Sequence, residues 1–338
     1  MNDKRGSKEY YYLENFRRHN TIPIISVVIP LFNKYPYIAR ALTSVLCQTL
    51  QDFEVIVVDD GSTDNGAEIV RGFRDQRIRL IQQKNQGVSV ARNKGIDEAK
   101  AEIIAFLDAD DEWQPDHLEI LVNLWKKYPK AGAYGTAYLI KSERYPPHVA
   151  SFSIDLPKAP WDGFLPNYFK IATLGDPPIS SSTVAIPKKI LEEMKGFSTE
   201  TWWGEDTDLW GRIALKYPIA FSWDGFGIYY TNHLDRACTK VEPVNENIFI
   251  KTARDALRAG NVPEELKSDL FEYVAYKQIQ TACRNLAAGR PDLARHNLKN
   301  CRTRYLRRSF HWTLLWAYIP SGIFISLKRI KAIVSEYL

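Results

Sequence analysis

From Ile24 to Tyr134 the chain alternates between two hydrophobic patterns. Nearly unbroken apolar runs, IISVVIPLFN from Ile24 to Asn33, FEVIVV from Phe53 to Val58 and IIAFL from Ile103 to Leu107, read as strands buried on both faces. Arg77 to Gln82 alternates apolar with polar and adds one more strand. Between these runs, Tyr37 to Gln48 sets Ile38, Leu42, Val45 and Leu46 at helical spacing, Asn65 to Phe73 follows Asp64 as a cap, and Gly87 to Ala99 is entered through NQG. Strands separated by helices of this length predict an α/β fold: a parallel, doubly wound sheet with right-handed crossovers and a ligand at the carboxyl ends of its strands. Pro30 has no N–H to give, so pairing along the first strand is expected to stop there.

Carboxylates gather at those strand ends. One run closes on Asp59, Asp60, Gly61 and Ser62, another on Asp108, Asp110 and Asp111, and a third on Pro30 to Asn33. For Asp108 and Asp110 two readings stand. Alternate residues of an extended chain share a face, so the pair can grip one Mg²⁺ or Mn²⁺ together with substrate phosphates. Otherwise these acids, with Asp111 and Asp116, merely open the next helix. Asp60 either accepts N–H and O–H groups from a nucleobase or sugar, or makes the Asx hydrogen bond of a DGS turn. No GxGxxG and no GxxxxGK[ST] occurs, so phosphate must be met by a metal and side chains. Arg92 is the basic candidate, and a surface salt bridge is its alternative role.

The second half offers a proton acceptor. In WWGEDTDLWGRIALKY, Leu209, Ile213 and Leu215 mark an amphipathic helix, and Glu205 and Asp206 stand at its entrance, as a catalytic base or as caps. Trp202, Trp203 and Trp210 can wall a sugar site or pack a core. GDPPISSSTVAIPKKI reads as a loop and then a strand from Ser181 to Ile186, and Gly225 and Gly227 bracket a short strand to Tyr230, followed by His233 in a polar loop. The Pro- and aromatic-rich stretch from Arg144 to Trp161 lacks periodicity and reads as a mobile loop over an acceptor site.

From about Pro243 the pattern turns helical. Phe271, Val274, Ile279 and Ala282 form one face, Gly289-Arg290-Pro291 breaks it, and Leu293, Ala294 and Leu298 resume it, which predicts two antiparallel helices. The tail joins basic clusters to Trp312, Leu314, Leu315, Trp316, Tyr318, Ile319, Ile323 and Phe324, as an interfacial helix on anionic lipid does. Packing on the protein or a homodimer contact are the other readings. The expected organisation is a lead-in over 1–23, a catalytic unit over 24–242 with halves 24–134 and 135–242, and a helical region over 243–338.

Composition narrows the class. The chain has 338 residues, 45% of them hydrophobic and 25% charged, as in ordinary globular proteins. Its net charge of +5 hides a tail with eleven Lys and Arg against two acids from Arg284 onward. No run of 18 apolar residues and no secretory h-region occurs, so a cytoplasmic protein is expected, and no nucleic-acid partner. The four cysteines form no CxxC pair, which argues for reduced thiols and against structural zinc.

Taken together, SVVIPLFNKYPYIARALTSVLCQTLQDFEVIVVDDGSTD, NQGVSVARNKGI and AFLDADDEWQPDHLE resemble the nucleotide-sugar half of the inverting family 2 glycosyltransferases with the GT-A fold, closely from Ile24 to Tyr134 and more loosely to about His233. The resemblance implies that Asp60 holds the nucleotide base, that Pro30, Phe32, Asn33, Asp59 and Ala109 belong to the nucleotide-sugar pocket, and that Gly87 and Arg92 lie near the diphosphate. It makes Asp108 and Asp110 a DxD pair with Asp110 touching Mg²⁺ or Mn²⁺, and gives His233 to the metal or diphosphate. GEDTDLWGR is similar to the family's ED motif, which makes Asp206 the general base and Glu205 its support. The implied donor is a nucleoside diphosphate sugar, UDP-sugars first. The implied acceptor is a glycan or polyprenyl-linked molecule at the inner face of the cell membrane. Two alternatives are a nucleotidyltransferase, which should carry a Gly-rich, Arg-containing loop where this chain has Pro30 to Asn33, and an inactive binding module, which would lack Asp206.

Overall fold

The computed structural model describes residues 22–142, 145–231 and 240–319. Strand β1 (Ile25–Leu31) is apolar on both sides because both are covered. Val28 packs into one layer and Ile25, Val27, Ile29 and Leu31 into the other, the period-two alternation of a pleated strand. β2 (Phe53–Asp59) and β4 (Ile103–Phe106) flank β1 in parallel, and β3 (Ile78–Gln82) continues the parallel set beyond β2. Helices α1 (Ile38–Leu46), α2 (Gly66–Gly72) and α3 (Val88–Glu98) make the crossovers.

The chain then runs through β5 (Glu112–Trp113), α4 (His117–Lys127), β6 (Ala133–Lys141), β7 (His148–Val149), β8 (Asp162–Phe164), α5 (Tyr168–Leu174), β9 (Val184–Pro187), α6 (Lys188–Glu193), α7 (Glu205–Ala214) and β10 (Ile219–Tyr230). All these strands join one sheet, in the order β3-β2-β1-β4-β9-β6-β10-β5, with β7 on β6 and β8 on β10. β9 runs antiparallel to both neighbours, and β5, β7 and β8 are also reversed. The parallel pattern expected from the first half therefore holds there and becomes mixed further on, because an apolar run carries no sign of its direction. Helices α3, α5 and α7 cover one face and α1 and α4 the other.

Several local expectations change. Pro30 is paired with Val58, and β1 continues to Leu31. The last rung on the β4 side runs from Leu107 N to Val28 O, so Pro30, two residues on, turns its nitrogen toward a side where no N–H is needed. Asn65, not Asp64, is the cap residue of α2, while Asp64 accepts from Gly66 N at 2.9 Å and Tyr35 N at 2.8 Å. The strand expected from Ser181 starts at Val184, since Ser180 to Thr183 close a turn. Gly225 and Gly227 do not bracket a strand; they lie inside β10, at an irregularity in its pairing with β6. The stretch after Tyr145 is anchored, with Phe152 wedged edge-on among Tyr138, Phe221 and Trp223.

Four helices follow: α8 (Ile248–Arg258), α9 (Glu264–Ala287), α10 (Pro291–Leu298) and α11 (Arg307–Tyr318). Phe249, Ala253, Leu270 and Tyr273 belong to the same core layer as α5 and α7. Further along, Ile279, Ala282, Ala294, Leu298 and Ala317 make a smaller cluster. Phe271, expected on the buried face, is 54% exposed, because the face read from its spacing turns away from the sheet at that position. Helix α11 leans Leu314 and Trp316 on that cluster and exposes Trp312, Leu315 and Tyr318. Ile323 and Phe324 lie outside the described residues. No helix among the described residues is long and apolar enough to cross a membrane.

Two predictions follow from this packing. A Cβ at Gly95 on α3 would stand 2.3 Å from Val28 Cγ1, whereas one at Gly72 meets nothing within 4 Å. Gly95→Ala should lower stability by about 1–3 kcal/mol in urea unfolding, and Gly72→Ala should hold or raise it. His117 is fully buried, stacked 4.5 Å from Trp113 with Nδ1 on Gly225 O, and burial lowers its pKa to about 4. A depressed folded pKa means that the unfolded chain binds the extra proton. Stability should therefore fall by up to roughly 3 kcal/mol as pH drops from 6.5 to 4, and His117→Gln should remove that slope from the urea midpoints.

Candidate functional site

The ends of β1 and β2 are braced by their own polar side chains. Asn33 takes a left-handed backbone, φ 51°, and its Oδ1 accepts from Thr63 N at 2.8 Å and Thr63 Oγ1 at 3.2 Å, while Ser62 Oγ accepts from Asn33 N. Asp59 accepts from Ser62 N at 3.0 Å and Gln82 Nε2 at 2.9 Å. The turn hydrogen bond considered for Asp60 thus belongs to Asp59. Asp60 reaches across to the loop before α3, accepting from Gln83 Nε2 and Gln86 N on Oδ1 and from Gly87 N, 2.8 Å away, on Oδ2. Gly87 can answer because φ 94° suits only glycine there. Pro30 is half-buried and Phe32 exposed beside these loops.

Past β4 the chain is not extended. Asp111 N donates to Asp108 O and closes a turn, so Asp108 and Asp110 do not share a strand face as expected. Each meets its own cation. Arg92 donates to Asp108 at 2.8 Å, and Lys34 Nζ lies 2.8 Å from Asp110 Oδ2. Ala109 is buried between them. Asp111 caps nothing; it is buried, accepting from Ser182 Oγ at 2.6 Å and Tyr230 N at 3.1 Å, and burial with the charges of Asp108 and Asp110 pushes its pKa well up. Asp116 is the cap residue of α4, but its side chain makes no cap hydrogen bond. Lys34 escaped sequence reasoning: its partner is 76 residues away, and only its place just past a strand end hinted at a role.

The cap residue of α7 is Gly204, φ 83°, and Glu205 and Asp206 follow it in the first turn. Glu205 accepts from Arg92 at 3.0 Å. Arg92 is therefore not a surface pair: it is 4% exposed and bridges Asp108 on one side to Glu205 on the other, which raises its pKa. Burial, then the charge of Asp206, pushes Glu205 up to about 7 against the pull of Arg92. Asp206 is partly exposed, and its Oδ1 accepts from Thr207 N. Trp210 is core, edge-on to Phe197, and does not wall a site. Trp202 and Trp203 sit under the guanidinium of Arg284 from α9, at 5.1 and 4.3 Å. His233 lies outside the described residues. Among the described residues no three His, Cys, Asp or Glu side chains are grouped to hold a metal.

Residues 26–194, half of the chain, match the model of glycosyl transferase family 2. The chain belongs to that family. An uncharacterised glycosyltransferase of Nostoc sp. is 44% identical over 105 residues, 30% of this chain and 33% of that protein. EpsJ of Bacillus subtilis, also an uncharacterised glycosyltransferase, is 46% identical over 92 residues, 27% of each chain. The chain thus spans about a third or less of these relatives. Among solved structures, S. aureus TarS 1–349 in complex with UDP-GlcNAc aligns with a TM-score of 0.57 at 18% identity, covering 81% of this chain and 88% of that one. The mannosyltransferase PcManGT from Pyrobaculum calidifontis, in complex with GDP-Man and Mn²⁺, aligns at 0.56 and 20%, covering 96% and 95%. At such identities the likeness shows the fold, an α/β GT-A architecture with added C-terminal helices.

The Arg92 bridge generates a prediction. Arg92→Met leaves Glu205 and Asp108 without their shared cation, and urea unfolding should show a loss of about 3–5 kcal/mol.

Proposed function

We propose that this family 2 member is an inverting glycosyltransferase that moves a sugar from a nucleoside diphosphate sugar, UDP-sugars first, to an acceptor hydroxyl in the synthesis of a cell-surface polysaccharide or glycolipid. The observation that carries this reading is Arg92, which holds Asp108 of the DxD sequence and Glu205 of the ED sequence at once. Neighbours captured with UDP-GlcNAc and with GDP-Man and Mn²⁺ support the donor class.

In this reading Asp60, Asn33, Pro30 and Phe32 frame the nucleotide, with Asp59, Gly87 and Ala109 behind them. Asp60 Oδ2 accepts a single internal hydrogen bond and keeps a lone pair for a base N–H. The residues present fit a hard cation: Mg²⁺ needs only one or two carboxylates plus water and substrate phosphate, and Asp110 already faces a positive charge in Lys34. A Mg²⁺ or Mn²⁺ ion held by Asp110, with Asp108 and His233 assisting, would neutralise the departing diphosphate. Lys34 adds a second cation on the same side. Asp206 takes the proton of the acceptor hydroxyl. That oxygen bonds to the anomeric carbon as the bond to the diphosphate breaks on the opposite face, and the configuration inverts. Trp202 and Trp203 border the acceptor side. The exposed Trp312, Leu315 and Tyr318 beside Arg307 and Arg308 on α11 favour peripheral attachment to an anionic membrane, as a polyprenyl-linked acceptor would require.

Incubation with a panel of nucleotide sugars and Mn²⁺ should release nucleoside diphosphate. Asp206→Asn should cut transfer by about 10²–10⁴-fold with little change in nucleotide affinity, and Asp110→Ala should weaken metal-dependent UDP binding in calorimetry. Transfer by Asp206→Asn at the wild-type rate would sink the assignment of the base.

A further inference from the structure

Helix α9 lies outside the segment that matches the family, yet it faces the acceptor side. One of its faces carries Tyr273, Tyr276, Lys277, Gln280 and Arg284, spaced three to four residues apart. Arg284 covers Trp202 and Trp203, and the charge of Asp206 reaches Lys277, Tyr273 and, on α5, Tyr168.

Lys277 is the unusual member. Lysine is almost never buried without a paired carboxylate, and this one is 5% exposed. Its Nζ reaches Gln280 Oε1 at 3.4 Å and stands over the rings of Tyr273 and Tyr276 at 5.0 and 5.4 Å, and among the described residues it pairs with no carboxylate. Burial pulls its pKa down to about 8 against the field of Asp206, so it still carries its proton at neutral pH. A buried hydroxyl belongs to the same aromatic cluster: Tyr168 stands edge-on to Tyr273, ring centroids 5.9 Å apart, and its hydroxyl has that of Tyr273 as its neighbour. A buried ammonium with no carboxylate beside it carries a desolvation penalty that an amide oxygen and two ring faces offset only in part and a ligand's anionic oxygens would relieve. The other buried cation here, Arg92, is already neutralised by two carboxylates.

We infer that Lys277 and Tyr168 form an anion subsite beside Asp206, which receives a phosphate or carboxylate group carried by the acceptor. The inference rests on the reading of Asp206 as the base, and it gives the acceptor a charge. Anchoring that charge on α9 and α5 would hold the attacking hydroxyl near Asp206, apart from the diphosphate that Asp110 and Lys34 serve.

The test uses the full chain with saturating UDP and Mg²⁺, so that the donor side is filled. A wild type that binds no UDP would count against the proposed function and not against this subsite. Saturation-transfer NMR then compares glucose, glucose 6-phosphate and glucuronate as probes. The wild type should bind one or both anionic probes more tightly than glucose, and the stronger of the two identifies the anion. Lys277→Met should weaken the anionic probes at least tenfold and leave glucose as it was, and Lys277→Arg should retain most of the binding. Lys277→Met should also hold or raise the thermal midpoint, since it removes a buried charge that no carboxylate balances, whereas a purely structural lysine would lower it. Tyr168→Phe, which deletes only the buried hydroxyl and keeps the ring, should weaken the anionic probes a few-fold with little change in stability. Equal affinity of the anionic probes for wild type and Lys277→Met, no preference for them over glucose in the wild type, or no binding of either would overturn the inference.

Discussion

Everything around the site depends on one buried guanidinium. Arg92 sits on α3, packed from below by β1 and from the side by Phe197, 5.1 Å from its guanidinium carbon. A charge so placed is tolerable only if carboxylates surround it, and here they come from two distant segments, 16 residues away at Asp108 and 113 residues away at Glu205. Either acid alone would leave the cation half-compensated. The turn after β4 and the entrance of α7 are therefore tied to each other through α3, and the gap between the donor-side acids and Asp206 is set by a rigid helix. A surface lysine in the same place would bind as well in water but could not fix that gap, because its stem is flexible and it offers no planar fork.

The ends of β1, β2 and β3 are organised by the same means on a smaller scale. Asp59, Asp60 and Asn33 spend their oxygens on backbone N–H groups of neighbouring loops, and so hold three strand ends in register before any ligand arrives. Loops braced in this way lose little freedom on binding, which is where preorganised sites gain affinity. Asp111 takes the idea furthest. It stands beside two other acids, and its burial raises its pKa well above the ordinary range, yet Ser182 and Tyr230 hold it as the joint between β4, β10 and the turn before β9.

The sequence made the first half legible because β1, β2 and β4 are buried on both faces, β3 alternates, and short helical segments separate them; the order of β1 to β4, α1 to α3 and the acids at their ends could be read directly. Asp60, Asp108, Glu205 and Asp206 stood out because they crowd at the ends of apolar runs, where acids serve either as caps and turn acceptors or as ligands and bases, and the string alone does not separate the two. What escaped was everything set by tertiary direction or by a distant partner. The reversal of β9 leaves no trace in its composition. Lys34 looks like a solvated surface cation in a string, and Arg92, though singled out as the basic candidate, gives no sign there of its partners; only the fold shows that they meet Asp110, Asp108 and Glu205. For Trp210 the string left a sugar wall and a core both open, and its place on the inner face of α7 decides for the core, while Trp202 and Trp203 lie before the helix begins.

The C-terminal helices follow from the same constraint. Helix α7 must be held firmly if Glu205 is to stay on Arg92, and α8 does this by close approach: a Cβ on Gly211 would lie 2.0 Å from Phe249 Cε2. Phe249 in turn packs against Phe169 of α5 and Tyr273 of α9, at 5.9 and 5.2 Å. The support of the acid pair is thus shared by three helices, two of them beyond the stretch that matches the family. Thr252 and Arg212 close the arrangement from the side by donating to the buried Asp208, one helical turn from the entrance. Helices that brace α7 also turn a polar face toward Asp206. A sequence change that alters how α9 packs would therefore reach the chemistry through the position of α7 as well as through the groups that α9 itself presents.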